Sequence, residues 1–455
     1  MKKNNKLLIS VPYIYPVCPL SIDHAKIMLV ADINARIARA EGKDVCFPIA
    51  SHYSGVTAEN TINNLNSNNK EVRNKERDKF IKGYKTPRKV VENFNNPEKL
   101  LDYYTAQTLL DLKRLDISCD YVNFYKTNEE DYEIFVRTIF NCYEKKGMLI
   151  KNSKDELALN YDDETWKKQT KNNLEQLIFI SPSLRNNIIS SFENIRSDWG
   201  ILRNYGIGVR YRDNYVIDPM FDSELFVIYD LYKKFKYLNN DEKKEDIFNE
   251  IFEVLGGNKK TTIPIVEAVV KWLPTDLFVC EEHLKNWIIK KTFSESLLFK
   301  KKYYTNKYFI TGMGYVNGER MSSSRGTAVL LKDLLDEYGS NVARMIIMFT
   351  GGHPSKMYNY TEENIKIINK MLKEFYDYVV FLNSQLLNVE CNNNDFVEEF
   401  DKIYQELKDG FYQQVLVDVM KNLKKKYSNA EMEILIKVRN TLKYFMNILL
   451  PNIKI

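Results

Sequence analysis

The sequence predicts an α/β protein, a doubly wound parallel sheet continued by a C-terminal α-helical bundle, on three observations. A short apolar strand, "KLLISVPY" (6–13), is followed by a helical pattern and then by a second strand, "DVCFPIA" (44–50). Strand, helix and strand in that order make the βαβ unit of a parallel sheet. β-like stretches return in 215–229, 275–283 and 308–321, alternating with helical ones. From about Asn359 onward only helical spacing remains, as in Ile368, Met371, Phe375, Val379 and Leu382.

Each element has a local cause. The first strand is short, apolar and ended by proline. From about His24 to Glu41, Ile27, Val30, Ala31, Asn34, Ile37 and Ala38 recur at helical steps, and Gly42 supplies the stop. Residues 61–114 read as polar, charged and helical, with "INNLNSNNKEVRNKERDKFIKGY" (62–84) as an exposed excursion, 129–147 as a further helix, and 152–196 as a stretch of low hydrophobic organisation. A length of 455 residues exceeds what one core serves and predicts more than one domain.

Composition sets bounds on function. A formal charge of +5 from 66 basic and 61 acidic residues permits RNA as a partner without demanding it. The basic runs "LFKKKYY" (298–304) and "KNLKKKY" (421–427) read either as solvated faces or as nucleic-acid contacts. Six cysteines without a CxxC pair fit reduced thiols in a cytoplasm, and no metal site is expected. The basic, apolar N-terminus is interrupted by Pro12, Pro16 and Pro19, so it is not read as a secretion signal. No apolar run reaches a membrane-spanning length, so no membrane partner is expected.

Two short stretches carry chemistry. "SIDH" (21–24) opens the first helix, where free N–H groups and a partial positive charge suit phosphate and His24 adds a donor. The plainer reading makes Ser21 a cap, Asp23 a partner of the helix dipole and His24 a surface residue. "GERMSSSRG" (318–326) sets Arg320, three hydroxyls and Arg325 in one glycine-flanked loop, suited either to a polyphosphate or to a polar connection.

The order of proline-aromatic strand, "xIxH" helix start and late "xMSxS" loop resembles a class I aminoacyl-tRNA synthetase, whose signature motifs read HIGH and KMSKS. Further segments resemble leucyl-tRNA synthetases of the archaeal and eukaryotic type. These are "GKDVCFPIASHYSG" (42–55), "NNPEKLLDYYTAQTLLDLKRLDISCDY" (95–121), "DWGILRNYGIG" (198–208), "YVIDPMFDSELF" (215–226), "LPTDLFVCEEHL" (273–284) and "YGSNVARMIIMFTGG" (338–352). The resemblance implies a Rossmann-type catalytic domain in two halves, 1–124 and 215–358. It also implies a reduced connective insertion over 125–214 with no room for the family's editing domain, and a truncated, anticodon-binding-like helical bundle over 359–455.

It implies as well ATP-dependent activation of an amino acid as its adenylate, with magnesium accompanying ATP, and transfer to tRNA. The alternatives are transfer to a small molecule or carrier protein, and a non-catalytic paralogue that binds RNA or a nucleotide. By this resemblance the catalytic groups are His24, Arg320, Ser322, Ser323 and Ser324. The nucleotide lies against Ser21, Asp23, His24, Glu281, His283, Met321 and Arg325, and the amino acid against Pro12, Tyr13, His52, Tyr53 and Asp222. The chain departs from the family's pattern in this machinery. Asp23 stands at a glycine, and Glu281, Glu282 and His283 replace a "GxD" that holds the ribose, so Asp23 is expected to set bulk and negative charge beside an anionic ligand. Ser51 and Tyr53, in place of a bulky and a small residue, are expected to reshape the amino-acid pocket.

Overall fold

A computed structural model of the chain describes residues 5–179, 182–211, 215–321, 328–349, 352–386 and 395–455. Two compact units interleave in sequence. One comprises Met1–Cys18, Asp44–Gln107 and Cys119–Ile310, the other Pro19–Lys43, Thr108–Ser118 and Thr311–Ile455.

The first unit holds a five-stranded sheet in the order Asp44–Cys46, Lys6–Ser10, Thr275–Cys280, Lys307–Thr311, Ile178–Phe179. Lys6–Ser10 runs parallel to both of its neighbours, with Leu8 facing Cys46 on one side and Thr275 on the other. Leu8, Leu277, Val279, Tyr308 and Ile310 pack from these strands into one core with the helices Glu130–Lys145, Phe226–Phe235 and Trp287–Leu298. Burial of this apolar surface is the main force holding the layers together. A second core, of Tyr53, Phe80, Tyr84, Phe94, Leu101 and Tyr104, lies under residues 57–107. There the helix Lys70–Asp78 buries no residue, as its polar sequence predicts.

The predicted strand 44–50 is two strands in separate sheets, Asp44–Cys46 and Pro48–Ser51, with Phe47 between them. Pro48 has no N–H to continue the first ladder. The β-like reading of 215–229 holds for Tyr215–Ile217 only. Asp218 then accepts from the Met220 amide, and Pro219 occupies the first helical turn. The buried helix Phe226–Phe235 follows, and a helix buried on nearly every side shows no period that separates it from a strand. The stretch 152–196 contains the helices Glu164–Gln176 and Pro182–Glu193, the first anchored by buried Trp166, whose Nε1 donates to the Phe293 carbonyl at 2.7 Å.

Asp230 and Glu224 are among the carboxyl groups buried inside the first unit. Asp230 accepts from the Tyr125 hydroxyl at 2.8 Å, and burial pushes its carboxyl up to about 8. Burial likewise raises Glu224 to about 8, against the pull of the Ser294 hydroxyl that donates to it and of Lys290.

The second unit is built around the first helix, Ile22–Ala40, which ends before Gly42 at φ +79°. With it go the helix Leu331–Phe349, broken at Gly339 (φ +76°), and the helices Glu362–Gln385 and Met432–Leu449. The unit also holds a three-stranded sheet in the order Glu319–Arg320, Gly314–Val316, Tyr358–Tyr360, whose last strand means that 359–455 is not helical from its first residue.

Arg344 joins these parts. It is fully buried and donates to Asp32 Oδ2 at 3.0 Å, to the carbonyls of Leu115 and Asp116 at 3.0 and 3.2 Å, and to those of Ile448 and Leu449 at 3.3 and 2.8 Å. Asp32 also accepts from Arg36 at 2.9 Å and from the Ser118 amide and hydroxyl at 2.7 and 2.6 Å. Burial alone would raise the Asp32 carboxyl, but the Arg344 and Arg36 guanidinium groups outweigh it and hold the carboxyl below its ordinary value.

Two outcomes follow from these buried charges. Arg344→Met leaves Asp32 half-compensated and strips backbone carbonyls of their donor, so it is expected to cost about 3–5 kcal/mol, read as a lower urea midpoint; an unchanged midpoint contradicts this role. For Asp230, the folded chain keeps a proton between about pH 4 and pH 8 that the unfolded chain has released. Its contribution to stability therefore falls as pH rises through that window. Asp230→Asn, measured by urea unfolding at pH 5 and pH 8, should lose less stability across the interval than the parent chain, with a slope shallower by up to about 1.4 kcal/mol per pH unit.

Candidate functional site

The sequence-predicted residues fall into two groups, one in each unit. In the first unit, Tyr13 follows the strand Lys6–Ser10, and His52 follows Pro48–Ser51, where the chain is held by a parallel bridge between Ile14 and Ser51 and by the His52 amide donating to the Ile14 carbonyl at 2.8 Å. Asp222 comes from the short helix Pro219–Asp222. His52 Nε2 and Asp222 Oδ1 are hydrogen-bonded at 2.7 Å in a buried setting, and the Tyr132 hydroxyl donates to the Asp222 carbonyl at 2.8 Å. Burial pushes the Asp222 carboxyl above its ordinary value against the pull of His52.

Aromatic rings surround this pair. The Tyr13 ring lies 5.4 Å from His52 and 5.1 Å from Phe226, both centroid to centroid. The hydroxyls of Tyr13 and Tyr125 share a 2.7 Å hydrogen bond, which continues to Asp230. Phe226 leads on to Trp287 at 6.1 Å, and Trp287 to His283 at 5.7 Å. His283 Nδ1 is 3.0 Å from Cys280 Sγ. The cluster is a polar pair inside an aromatic wall, a chemistry suited to orienting a small molecule with one charged end. Tyr125, Phe226, Asp230 and Trp287 were not singled out from the sequence, because nothing in their spacing distinguishes them from ordinary core.

Tyr53 turns elsewhere. Its hydroxyl donates to Asp102 at 2.7 Å and lies 3.1 Å from the Thr105 hydroxyl, so it packs into the second core and apart from the His52–Asp222 pair. Pro12 and Glu281 are half-buried, the latter in the turn Glu281–Lys285 after the strand Thr275–Cys280.

In the second unit, Ser21 occupies the cap position of the first helix, but its hydroxyl makes no capping bond and lies 3.0 Å from His24 Nδ1. His24 is exposed, whereas Ser21 and Ile22 beside it at the helix start are buried. Asp23 is half-buried and accepts from the Tyr358 hydroxyl at 2.6 Å. Arg320 is exposed on its short strand, and Met321 is buried with its amide donating to the Gly314 carbonyl at 2.9 Å. Ser322, Ser323, Ser324 and Arg325 lie outside the described residues. Among the described residues no group of three or more His, Cys, Asp or Glu is placed to hold a metal ion, and no helix is long and apolar enough to cross a membrane.

No protein-family model matches the chain. Among known proteins it is similar to a probable cytoplasmic leucine–tRNA ligase of Encephalitozoon cuniculi, 28% identical over 278 residues, covering 57% of this chain and 30% of that protein. It is also similar to the leucine–tRNA ligase of Methanothermobacter thermautotrophicus, 24% identical over 241 residues, covering 52% of this chain and 25% of that protein. The matches thus span less than a third of these relatives' length. In structure it is similar to Mycobacterium tuberculosis methionyl-tRNA synthetase bound by methionyl-adenylate, with a TM-score of 0.66 at 12% identity over 98% of this chain and 92% of that one. The chain is therefore leucyl-tRNA synthetase-like in sequence over about half its length and has the Rossmann-type fold of a class I aminoacyl-tRNA synthetase.

Proposed function

We propose that the chain binds an amino acid and ATP, converts them to an aminoacyl adenylate with release of pyrophosphate, and passes the aminoacyl group to tRNA with release of AMP. The observation that carries this reading is the His52–Asp222 pair, walled by Tyr13 and Phe226, in the segments that resemble the leucyl-type amino-acid pocket. The fold likeness to a synthetase bound by its own aminoacyl adenylate supports it.

In the reaction, a carboxylate oxygen of the amino acid attacks the α-phosphorus of ATP, and the bond from that phosphorus to the departing pyrophosphate breaks. A ribose hydroxyl of tRNA then attacks the carbonyl carbon and AMP leaves. Neither step needs a covalent bond to the protein, so its share is position and stabilisation of phosphate charge. The start of the helix Ile22–Ala40 with His24, and Arg320 with the hydroxyls of Ser322, Ser323 and Ser324, would supply that stabilisation. Magnesium would arrive with ATP. Asp222 and His52 would hold the amino-acid end.

The 125–214 connection is, on this reading, a reduced insertion without a proofreading domain, so near-isosteric amino acids face one sieve where two are usual. A mischarged tRNA should then be hydrolysed no faster with the protein present than without it.

The reading is tested by amino-acid-dependent exchange of labelled pyrophosphate into ATP, with the twenty standard amino acids and with or without bulk tRNA. Exchange with one amino acid is the expected result and names the substrate. No exchange with any of them overturns adenylation of a standard amino acid and favours a binding protein on a synthetase scaffold. Asp222→Ala should raise the KM for the amino acid at least tenfold with little change in the KM for ATP.

A further inference from the structure

Asp23 is the clearest departure within the first helix, and its surroundings in the second unit give its carboxylate a partner. The Tyr358 hydroxyl donates to Asp23 Oδ1 at 2.6 Å. The Lys26 ammonium lies 4.2 Å from the centre of the Tyr358 ring and 3.5 Å from the Lys356 carbonyl oxygen. Gly314 leaves the room for this contact. A Cβ built there would stand 2.5 Å from Asp23 Oδ1 and 2.6 Å from the Tyr358 phenol carbon and oxygen.

The backbone makes a second tie at the same place. Ser21 bridges Leu330, the Ile22 amide donates to the Val329 carbonyl at 3.0 Å, and the Leu331 amide donates to the Leu20 carbonyl at 2.8 Å. Upstream, the Met321 amide is held by the Gly314 carbonyl, and Gly314–Val316 pairs in parallel with Tyr358–Tyr360. Residues on both sides of the serine run are thus tied to the start of the first helix, downstream by backbone and upstream through the strand that touches Asp23.

We infer that Asp23 and Tyr358 form a positioning pair that holds the flanks of the serine run against the first turn of the helix Ile22–Ala40. Asp23 is then part of the scaffold of the phosphate-facing groups and no obstruction to ATP. The consequence for ATP rests on the adenylation reading; the pair itself does not. Burial also raises the Asp23 carboxyl above its ordinary value, against the pull of the Tyr358 hydroxyl.

Three variants separate the two roles. Asp23→Asn removes the charge and keeps an acceptor for Tyr358, Asp23→Ala removes both, and Tyr358→Phe removes the donor alone. Hydrogen exchange of the full-length chain, followed by mass spectrometry in peptides covering 20–24 and 328–334, is measured without ligand. ATP affinity, and the KM for ATP against that for the amino acid, are measured alongside. Asp23→Ala and Tyr358→Phe should speed exchange in both peptides and weaken ATP about tenfold, leaving the KM for the amino acid in place, and Asp23→Asn should restore both readouts.

Unchanged exchange in Tyr358→Phe and Asp23→Ala overturns the pair. Tighter ATP binding by Asp23→Asn and Asp23→Ala alike makes Asp23 an obstruction and overturns the inference. Faster exchange in a chain whose parent form does not bind ATP upholds the pair and sinks the adenylation reading instead.

Discussion

The second unit depends on one buried cation. Arg344 carries a charge that cannot be shed by deprotonation, in a place with no access to water. It is tolerable there because Asp32 neutralises it and four backbone carbonyls accept its remaining donors. Those partners come from the first helix, from residues 115–116 and from the end of the helix Met432–Leu449. One side chain therefore fixes three distant stretches of chain at once. Asp32 lies in the same helix whose first turn carries Ser21, Asp23 and His24, so the geometry at that turn is inherited from the buried ion pair two turns further along.

A rigid helix is what the proposed chemistry asks for. Phosphate charge is stabilised by groups already aimed at it, because any reorganisation during the reaction would consume the advantage. In the first unit the residues proposed to hold an amino acid are braced in the same way. Asp222 is fixed by His52 through one oxygen, its backbone carbonyl is held by Tyr132, and Tyr13 is braced against Tyr125 and Phe226. Aromatic walls with few rotatable bonds keep such a pair in place at little entropic cost.

Much of this was legible in the sequence, and the failures have physical causes. The first strand, the first helix and its glycine stop show clean periodicity and strong punctuation. The order of the "SIDH" and "RMSSS" stretches pointed to the fold without any tertiary information. The β-like pattern of 218–229 is overridden where Asp218 and Pro219 start a short helix and where Phe226–Phe235, buried on nearly every side, shows little period. The break at Phe47 and Pro48 follows from proline's missing donor. Contacts such as Asp23 with Tyr358 and Asp32 with Arg344 join positions 335 and 312 residues apart, and no local pattern encodes them. The charge of Asp23 was legible, but the hydroxyl that meets it was not.

The most direct test of the central claim, that this scaffold activates an amino acid at a helix start whose Asp23 is turned inward, is a crystal structure of the chain with a non-hydrolysable aminoacyl-adenylate analogue. The account predicts the analogue's phosphate mimic against the first turn of Ile22–Ala40, with Asp23 still bonded to Tyr358. An analogue absent at saturating concentration, or bound with Asp23 released from Tyr358 and facing it, would contradict the account.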